Sequence, residues 1–250
     1  MIYYFSGTGN SEWVARQIAA GTGMKLDNIA RLIHSTAVSF VSQTDGIVGF
    51  VFPIHAWGAP DVVLEFTERL NIQESTYRFA IATCGDEAGC ALNYFSKKFP
   101  LHSAWSIRMP NNYIPMADID KPEQIRRKID EANRLIPEIC NCIQARQSVW
   151  QVHKGSFANL KSRFINPLFR NYALSAKSFY AEDHCTSCGI CVQACPMENI
   201  ELKEGRPIWA DHCVQCMSCI HRCPVQAIQI GMATKTRGRY TFEAYETGKH

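Results

Sequence analysis

Twelve cysteines are present, and eight of them lie between Cys185 and Cys223 in two runs of one spacing. The first is Cys185-x2-Cys188-x2-Cys191-x3-Cys195-Pro196, and the second is Cys213-x2-Cys216-x2-Cys219-x3-Cys223-Pro224. Soft thiolates select iron–sulfur chemistry. Three cysteines two residues apart wrap the chain around three corners of a cubane, and the fourth corner needs a thiolate from elsewhere. In bacterial runs of this spacing the fourth cysteine ligates the other cluster. On that pattern Cys185, Cys188, Cys191 and Cys223 hold cluster one, and Cys213, Cys216, Cys219 and Cys195 hold cluster two. Structural zinc needs only four ligands from two CxxC pairs, which eight cysteines in two identical runs overshoot. Pro196 and Pro224 fix the turn after each crossing ligand. His184, His212 and His221 flank all-cysteine sets, so they are expected at the surface or in the outer shell. Ile190, Val192, Ile200, Val214, Ile220 and Ile228 are expected to form the apolar shell.

A second chemistry-bearing segment is Ser6-Gly7-Thr8-Gly9-Asn10-Ser11. It follows an apolar run at Ile2 to Phe5 and opens a segment of helical spacing at Ser11 to Ala20. Backbone N–H groups at a helix N-terminus form an anion site, and glycines let the chain wrap a phosphate. The G-x-G-x-x-G pattern of dinucleotide folds is missing, and no lysine follows as it would in a nucleoside triphosphate loop. After a strand, beside two expected iron–sulfur clusters, the loop reads as a phosphate cradle for FMN.

The elements that must position these groups alternate. Gly46 to Phe52, Tyr77 to Thr83 and Ala104 to Met109 read as strands. Pro60 to Leu70, Gly89 to Lys98 and Lys121 to Gln147 read as helices, the last open to a break near Pro137. Such alternation implies a parallel sheet covered on both faces. Ligands of such sheets sit beyond the carboxyl ends of the strands. The loops there carry Pro53, Ile54, His55, Ala56, Trp57 and Gly58, then Thr83, Cys84, Gly85, Asp86 and Gly89, then Asn111, Asn112 and Tyr113. Trp57 or Tyr113 is expected to stack on the flavin ring, with amides near Gly58 or Gly85 on its polar edge. Cys84 reads as a pocket-lining residue rather than a redox thiol. Cys90, Cys140 and Cys142 read as buried small hydrophobes.

With 46% hydrophobic and 20% charged residues the chain can bury a core. A net charge of +3 does not fit a nucleic-acid binder. No signal peptide is legible, and the longest apolar run, near Ile47 to Phe52, is far too short to span a bilayer. So many cysteines without an export signal favour metal ligation in the cytoplasm over disulfides. The domains expected are a flavin unit at 1–148, a basic and aromatic connector at 149–180, a two-cluster unit at 181–232 and a loosely held tail at 233–250. Residues 149–181 contain no acid, but Lys154, Lys161, Arg163, Arg170 and Lys177.

Tyr4-Phe5-Ser6-Gly7-Thr8-Gly9-Asn10-Ser11, Phe52-Pro53, Met109-Pro110-Asn111-Asn112-Tyr113 and the two cysteine runs together resemble the ferrodoxin family. The resemblance implies an α/β, flavodoxin-like, doubly wound five-stranded parallel sheet fused to a small α+β ferredoxin-like two-cluster domain. It also implies FMN held by the three loops and exchanging electrons with two [4Fe-4S] clusters. The function expected is an iron–sulfur flavoprotein oxidoreductase coupling a low-potential one-electron donor to a flavin-side acceptor. A reductase of a small organic substrate over the flavin, or a redox sensor, are the alternatives. The partners expected are a donor protein such as ferredoxin, a small-molecule acceptor, and a second copy in a homodimer; the charges from Lys161 to Lys177 read as a solvated face or, second, as an attraction for an acidic donor. Two exposed-type clusters point to an anaerobe. A bulky residue at Gly7 or Gly9 is expected to empty the flavin site and leave the clusters intact.

Overall fold

A computed structural model describes residues 1–35, 40–41 and 46–248. The N-terminal unit runs β1 (Ile2–Tyr4), α1 (Asn10–Thr22), β2 (Leu26–Asn28), α2 (Ile29–Ile33), β3 (Ile47–Pro53), α3 (Asp61–Glu68), β4 (Tyr77–Cys84), α4 (Ala91–Lys98), β5 (Ser103–Arg108), α5 (Pro122–Gln144) and β6 (Trp150–Gln151). These strands form one parallel sheet in the order β2-β1-β3-β4-β5-β6, and the short strands Phe40–Val41 and Leu70–Asn71 pair in parallel apart from it. The first five give the flavodoxin-type order, whose switch point lies between β1 and β3.

Alternation along the strands divides the core into two layers. Ile2, Tyr4 and Val51 face α1 and α5 with Val14, Ile18, Ile136 and Ile143. Tyr3, Phe5, Phe50 and Phe52 face α3 and α4 with Val63, Phe66 and Phe95. Gly49 admits the Phe79 ring, which would lie 2.1 Å from an added β-carbon.

Three expectations are corrected here. The sheet has six strands, not five: the edge strand comes from residues assigned to the connector. A two-residue strand carries no alternation that a sequence pattern could reveal; it is held by Val149 donating to Ser103 Oγ at 2.9 Å and accepting from the Ala104 N–H at 2.9 Å. Pro137 does not break α5. Its ring sits on the exposed side, and the stripe of Ile129, Ala132, Ile136, Ile139 and Ile143 packs on the sheet and offsets the lost hydrogen bond. The tail is not loose. Tyr240 and Phe242 are buried, and α8 (Phe242–Glu246), the last helix of the chain, is capped by Thr241 Oγ1 accepting from the Ala244 N–H. The indole of Trp13 stacks on Phe242 with ring centres 4.9 Å apart. Phe242→Ala is expected to lower stability by about 3–5 kcal/mol, the usual cost of emptying a buried aromatic site, as read by chemical unfolding. Residues 249 and 250 of the tail lie outside the described residues.

The connector is a helical segment at 158–173 containing two π turns, Lys161–Ile165 and Phe169–Ala173. Beyond it come β7 (Phe179–Ala181), α6 (Ile190–Gln193), the hairpin β8 (Ile200–Lys203) and β9 (Arg206–Trp209), α7 (Ser218–Arg222) and β10 (Ile228–Ile230). β7 pairs antiparallel with β10. The two halves repeat at an offset of 28 residues in conformation as well as in sequence. Left-handed backbone recurs at Ser187 and Gln215, Gly189 and Met217, and Glu198 and Gln226. The core of this unit is small: Ile114, Phe179, Ile200, Met217, Ile220 and Ile228 with Cys191 and Cys219. Among the described residues no helix is long and apolar enough to cross a membrane.

Candidate functional site

The cysteines gather in two sets. Cys185, Cys188, Cys191 and Cys223 line one small cavity. Cys195, Cys213, Cys216 and Cys219 line another. The fourth cysteine of each run thus leaves its own run for the other cavity. After each crossing cysteine the chain turns, the Glu198 N–H donating to the Cys195 carbonyl at 3.1 Å and the Gln226 N–H to the Cys223 carbonyl at 3.0 Å. Each crossing sulfur accepts a backbone N–H four residues on: Asn199 to Cys195 at 3.3 Å and Ala227 to Cys223 at 3.2 Å. Hydrogen bonds to sulfur favour the thiolate and tune an attached cluster. Burial works the other way. It pushes the Cys216 thiol up to about 12 and Cys219 well above its ordinary value. Trp209 lines the same cavity, and its indole N–H acts on the Cys219 sulfur, partly opposing that rise. Two walls of four soft donors each fit iron–sulfur ligation.

Of the expected apolar shell, Ile200, Ile220 and Ile228 are buried, Val192 packs against their cluster, and Ile190, though partly exposed, lines the first cysteine cavity. Val214 serves both units: it lines the second cavity and also joins the α3–α4 core layer. The second cavity is therefore seated on the sheet. Gly7 shows how closely. An added β-carbon there would stand 2.2 Å from the Cys216 carbonyl oxygen and 2.8 Å from its β-carbon.

The Ser6–Ser11 loop crosses the carboxyl end of β1 beside this contact. Gly9, at φ 101°, caps α1, and the first-turn N–H groups of that helix have no partner within it. Ser6 Oγ accepts from the Gly9 N–H at 3.2 Å, and Thr8 Oγ1 accepts from the Asn112 amide. Each hydroxyl keeps its own proton to donate to an anion. Ser11 is spent on Thr83 at 2.7 Å, and Asn10 on the Pro110 carbonyl and the Tyr240 hydroxyl at 2.9 Å each. Ser6 and Thr8 thus keep a donor each where the phosphate end of the flavin site is expected, while the Phe242 N–H donates to the Thr8 carbonyl at 2.9 Å from the tail.

The ring end differs from expectation. Ala56 and Trp57 both have positive φ in a tight turn closed by mutual His55 and Gly58 backbone bonds at 2.9 and 3.0 Å. Two consecutive non-glycine residues in this conformation store strain that the surroundings must hold. The connector holds it: Asn166 donates to the His55 carbonyl at 3.0 Å, and Ser162 to the Trp57 carbonyl at 2.9 Å. Trp57 donates its indole N–H to Glu87 at 2.8 Å, and the Lys161 ammonium lies 5.2 Å from its ring centre. Tyr113 donates to Gln215 Oε1 at 2.6 Å and meets Phe169 edge to face. Both aromatics expected to stack on a flavin instead tie the loops to the connector and to the second cysteine run.

The remaining residues take plain roles. Pro53 ends β3, and Ile54 donates to the Thr83 carbonyl at 2.8 Å. Burial pushes the His55 imidazole down to about 4 and the Cys84 thiol up to about 12, so neither is charged at neutral pH. Gly85 touches Asn111, and Gly89 lies under Trp57 and Ser162. Asn111 is pinned by Asp120, which also pairs with the buried Lys128 at 2.6 Å; the exposed Asp86 lies 3.5 Å from the same ammonium. Cys90 and Cys140 are buried as expected, while Cys142 is only half-buried.

His221, expected at the surface or in the outer shell, is buried and joins three segments. Its Nδ1 accepts from the Tyr240 N–H at 3.0 Å, which leaves Nε2–H to donate to the Asn112 carbonyl at 2.7 Å. Tyr240, Phe242, Ser162, Asn166 and Gln215 also escaped sequence reasoning. Nothing in their local pattern marks them; only the fold brings them to the loops.

The connector's charge is partly neutralised inside the protein. Lys161 pairs with Glu87, and Arg170 with Asp61. Burial opposes the charge on Glu87, but the Lys161 ammonium and the Trp57 N–H more than offset it, so its carboxyl is held below the usual range. Its folded pKa lies below its unfolded one, so this stabilisation is present above the unfolded value and is lost as pH falls through the folded value. Urea midpoints of the native chain are expected to fall below about pH 4.5, and those of Glu87→Gln to change less over that range. Equal acid sensitivity of the two proteins would remove the pair from the account.

Residues 184–228 match the family model of the 4Fe-4S dicluster domain. No curated protein matches the chain. Among solved structures, a "putative flavoprotein" from Bacteroides uniformis is 14% identical, covering 52% of this chain and 96% of its own, with a TM-score of 0.37. The Trp repressor binding protein of Bacillus subtilis is 13% identical, covering 57% and 97%, with a TM-score of 0.35. Smu.1420 of Streptococcus mutans is 11% identical, covering 58% and 97%, with a TM-score of 0.36. The dicluster match supports iron–sulfur binding by the C-terminal unit, and redox activity follows from that class.

Proposed function

We propose that the chain is an iron–sulfur flavoprotein oxidoreductase that moves single electrons between two [4Fe-4S] clusters and FMN. It would link a low-potential one-electron donor, such as a ferredoxin, to an acceptor at the flavin. The observation that carries this reading is the contact between Gly7 of the phosphate loop and Cys216 of the second cysteine set. The clusters would supply one-electron steps, and FMN would supply exchange between one- and two-electron chemistry.

The chain's own residues set the order. Cys185, Cys188, Cys191 and Cys223 would hold the outer cluster, where Cys188 is exposed and a donor can approach. Cys195, Cys213, Cys216 and Cys219 would hold the inner one against the sheet. The α1 N-terminus with Ser6 and Thr8 would hold the phosphate. Val214, Phe52 and the tail residues Tyr240 and Phe242 keep water from the seam between the units.

Anaerobic reconstitution with iron, sulfide and FMN, followed by photoreduction, tests the reading. Binding of both cofactor types and bleaching of the flavin once the iron centres are reduced are expected. Zinc without labile sulfide, or a flavin that never bleaches, would defeat it.

A further inference from the structure

The tail carries an arginine whose charge no carboxylate answers. Arg239 is half-buried. Its Nη1 donates to the carbonyls of Arg237 at 2.8 Å, Thr234 at 3.2 Å and Gly238 at 3.3 Å. Its Nη2 donates to the Ile228 carbonyl at 3.4 Å and to Gln229 Oε1 at 3.2 Å. All of these acceptors are neutral. Its Nε–H is buried and makes no hydrogen bond among the described residues. No carboxylate among them lies within ion-pair distance of it. Other cations of this unit are paired: Arg206 with Asp183, Arg222 with Glu243 and Lys235 with Glu182. A guanidinium stays charged throughout the physiological range, and taking it out of water is costly unless a negative charge stands near.

The carbonyl that Arg239 grips places the charge. Ile228 lines the outer cysteine cavity. The residue before it, Ala227, donates its N–H to Cys223 Sγ at 3.2 Å. The guanidinium therefore sits behind the Cys223 turn, one residue from the donor to its sulfur. Burial works against the charge on Arg239, whereas the Cys223 thiolate and the Asp118 carboxylate favour it. Asp118 is exposed, so water screens it, and its Oδ1 already accepts from the Ile119 and Gly238 N–H groups at 2.8 Å each. The outer thiolates are the negative groups left to answer the arginine.

The repeat lacks this feature on its other side. Asn199 and Ile200 stand where Ala227 and Ile228 do, 28 residues earlier. There the β8–β9 hairpin packs on the turn. Asn199 Nδ2 donates to the Ala210 carbonyl at 2.9 Å, and Asn199 Oδ1 accepts from the His212 N–H at 2.7 Å. No charged side chain lines the inner cavity. Net charge around a cluster is one of the quantities that set its potential, so two similar cysteine sets are given different surroundings.

We propose that Arg239 is the countercharge of the outer cluster and raises its reduction potential relative to the inner one. This role rests on the electron-transfer reading of the two cysteine sets. One electron passes from the low-potential donor to the cluster, with no bond made and no proton moved, and the added negative charge falls beside the guanidinium. A unit charge about 10 Å away, at an effective dielectric constant of about 20, changes such an equilibrium about tenfold, which for one electron is about 59 mV.

Anaerobic potentiometric titration of the full reconstituted chain, followed by electron paramagnetic resonance, tests the proposal. Arg239→Gln is expected to keep both clusters by iron and sulfide analysis and to lower one midpoint by that tenfold factor, leaving the other in place. Repeating the comparison with Cys195→Ser, which is expected to retain only the outer cluster, assigns the shifted midpoint. Arg239→Lys keeps the charge and is expected to restore the midpoint, which loss of a mere structural prop would not predict. Gln229→Glu sets a carboxylate against the same guanidinium and is expected to lower the same midpoint; it decides alone if Arg239→Gln does not fold. Unchanged midpoints in a folded, two-cluster Arg239→Gln protein would overturn the proposal, as would equal shifts in the Gln and Lys variants. A wild type holding zinc and no labile sulfide would instead defeat the cluster reading, and this role with it.

Discussion

Gly7→Val is expected to lose bound FMN and about half of the iron together, one of the two clusters being disrupted. A β-carbon at residue 7 would stand 2.2 Å from a backbone carbonyl, that of Cys216. Backbone cannot swing aside as a long side chain does. Overpacking a well-packed site costs about 1–3 kcal/mol even where the neighbours are side chains. Here relief has to come from moving the 213–217 turn, which presents Cys213 and Cys216 to the inner cavity. That turn already holds left-handed backbone at Gln215 and Met217 and has little room to adjust. From the loop alone the expectation was different: flavin lost, clusters intact. That outcome still applies to Gly9, whose added β-carbon would meet Phe242 in the tail at 2.9 Å and no cysteine. Iron, sulfide and flavin analysis of the two variants separates the cases. A Gly7→Val protein with its full complement of iron would show that the units are not coupled at this contact.

Cys195→Ser should remove the inner cluster, although Cys195 belongs to the first cysteine run. Its sulfur lines the cavity of Cys213, Cys216 and Cys219. Additivity identifies the partners, since residues serving one group do not add. Combining Cys195→Ser with Cys216→Ser is expected to cost no more iron than either change alone, about half. Combining Cys195→Ser with Cys188→Ser is expected to cost nearly all of it. The reverse pattern would assign each run wholly to its own cluster. Either loss should also loosen the unit's small core, because ligand binding and folding are one free energy in metal domains of this size. The sheet, with two full core layers of its own, should stay folded, and far-ultraviolet dichroism would report it.

Much of this was legible in the chain. The cysteine spacing announces its chemistry because a cubane imposes fixed distances on a short stretch of backbone. The 28-residue repeat recurs in the structure as paired left-handed positions such as Ser187 and Gln215. Apolar runs at Ile47 to Phe52 and Tyr77 to Thr83 announced buried parallel strands. Residues acting through distant partners were not legible. Trp57, read as a flavin-stacking residue, is tied to Glu87 and covered by Lys161. Tyr113, read the same way, is tied to Gln215, 102 positions away. The tail, poor in large aliphatics, read as loose; two aromatics were enough to pin it, because α1 and α7 offered them a ready surface.

By itself, then, the order of residues determined the two cysteine runs with their 28-residue repeat, the glycine loop that opens the first helix and the central buried strands, since each depends on neighbours within a few positions. Only the tertiary structure decided that the inner cysteine set rests on the phosphate loop, that the connector turns its polar side inward and its aromatics outward, and that His221 ties Asn112 to Tyr240. Those outcomes depend on contacts such as Tyr240 to His221, 19 positions apart, and His221 to Asn112, 109 apart, where packing and burial, rather than local spacing, choose the partner.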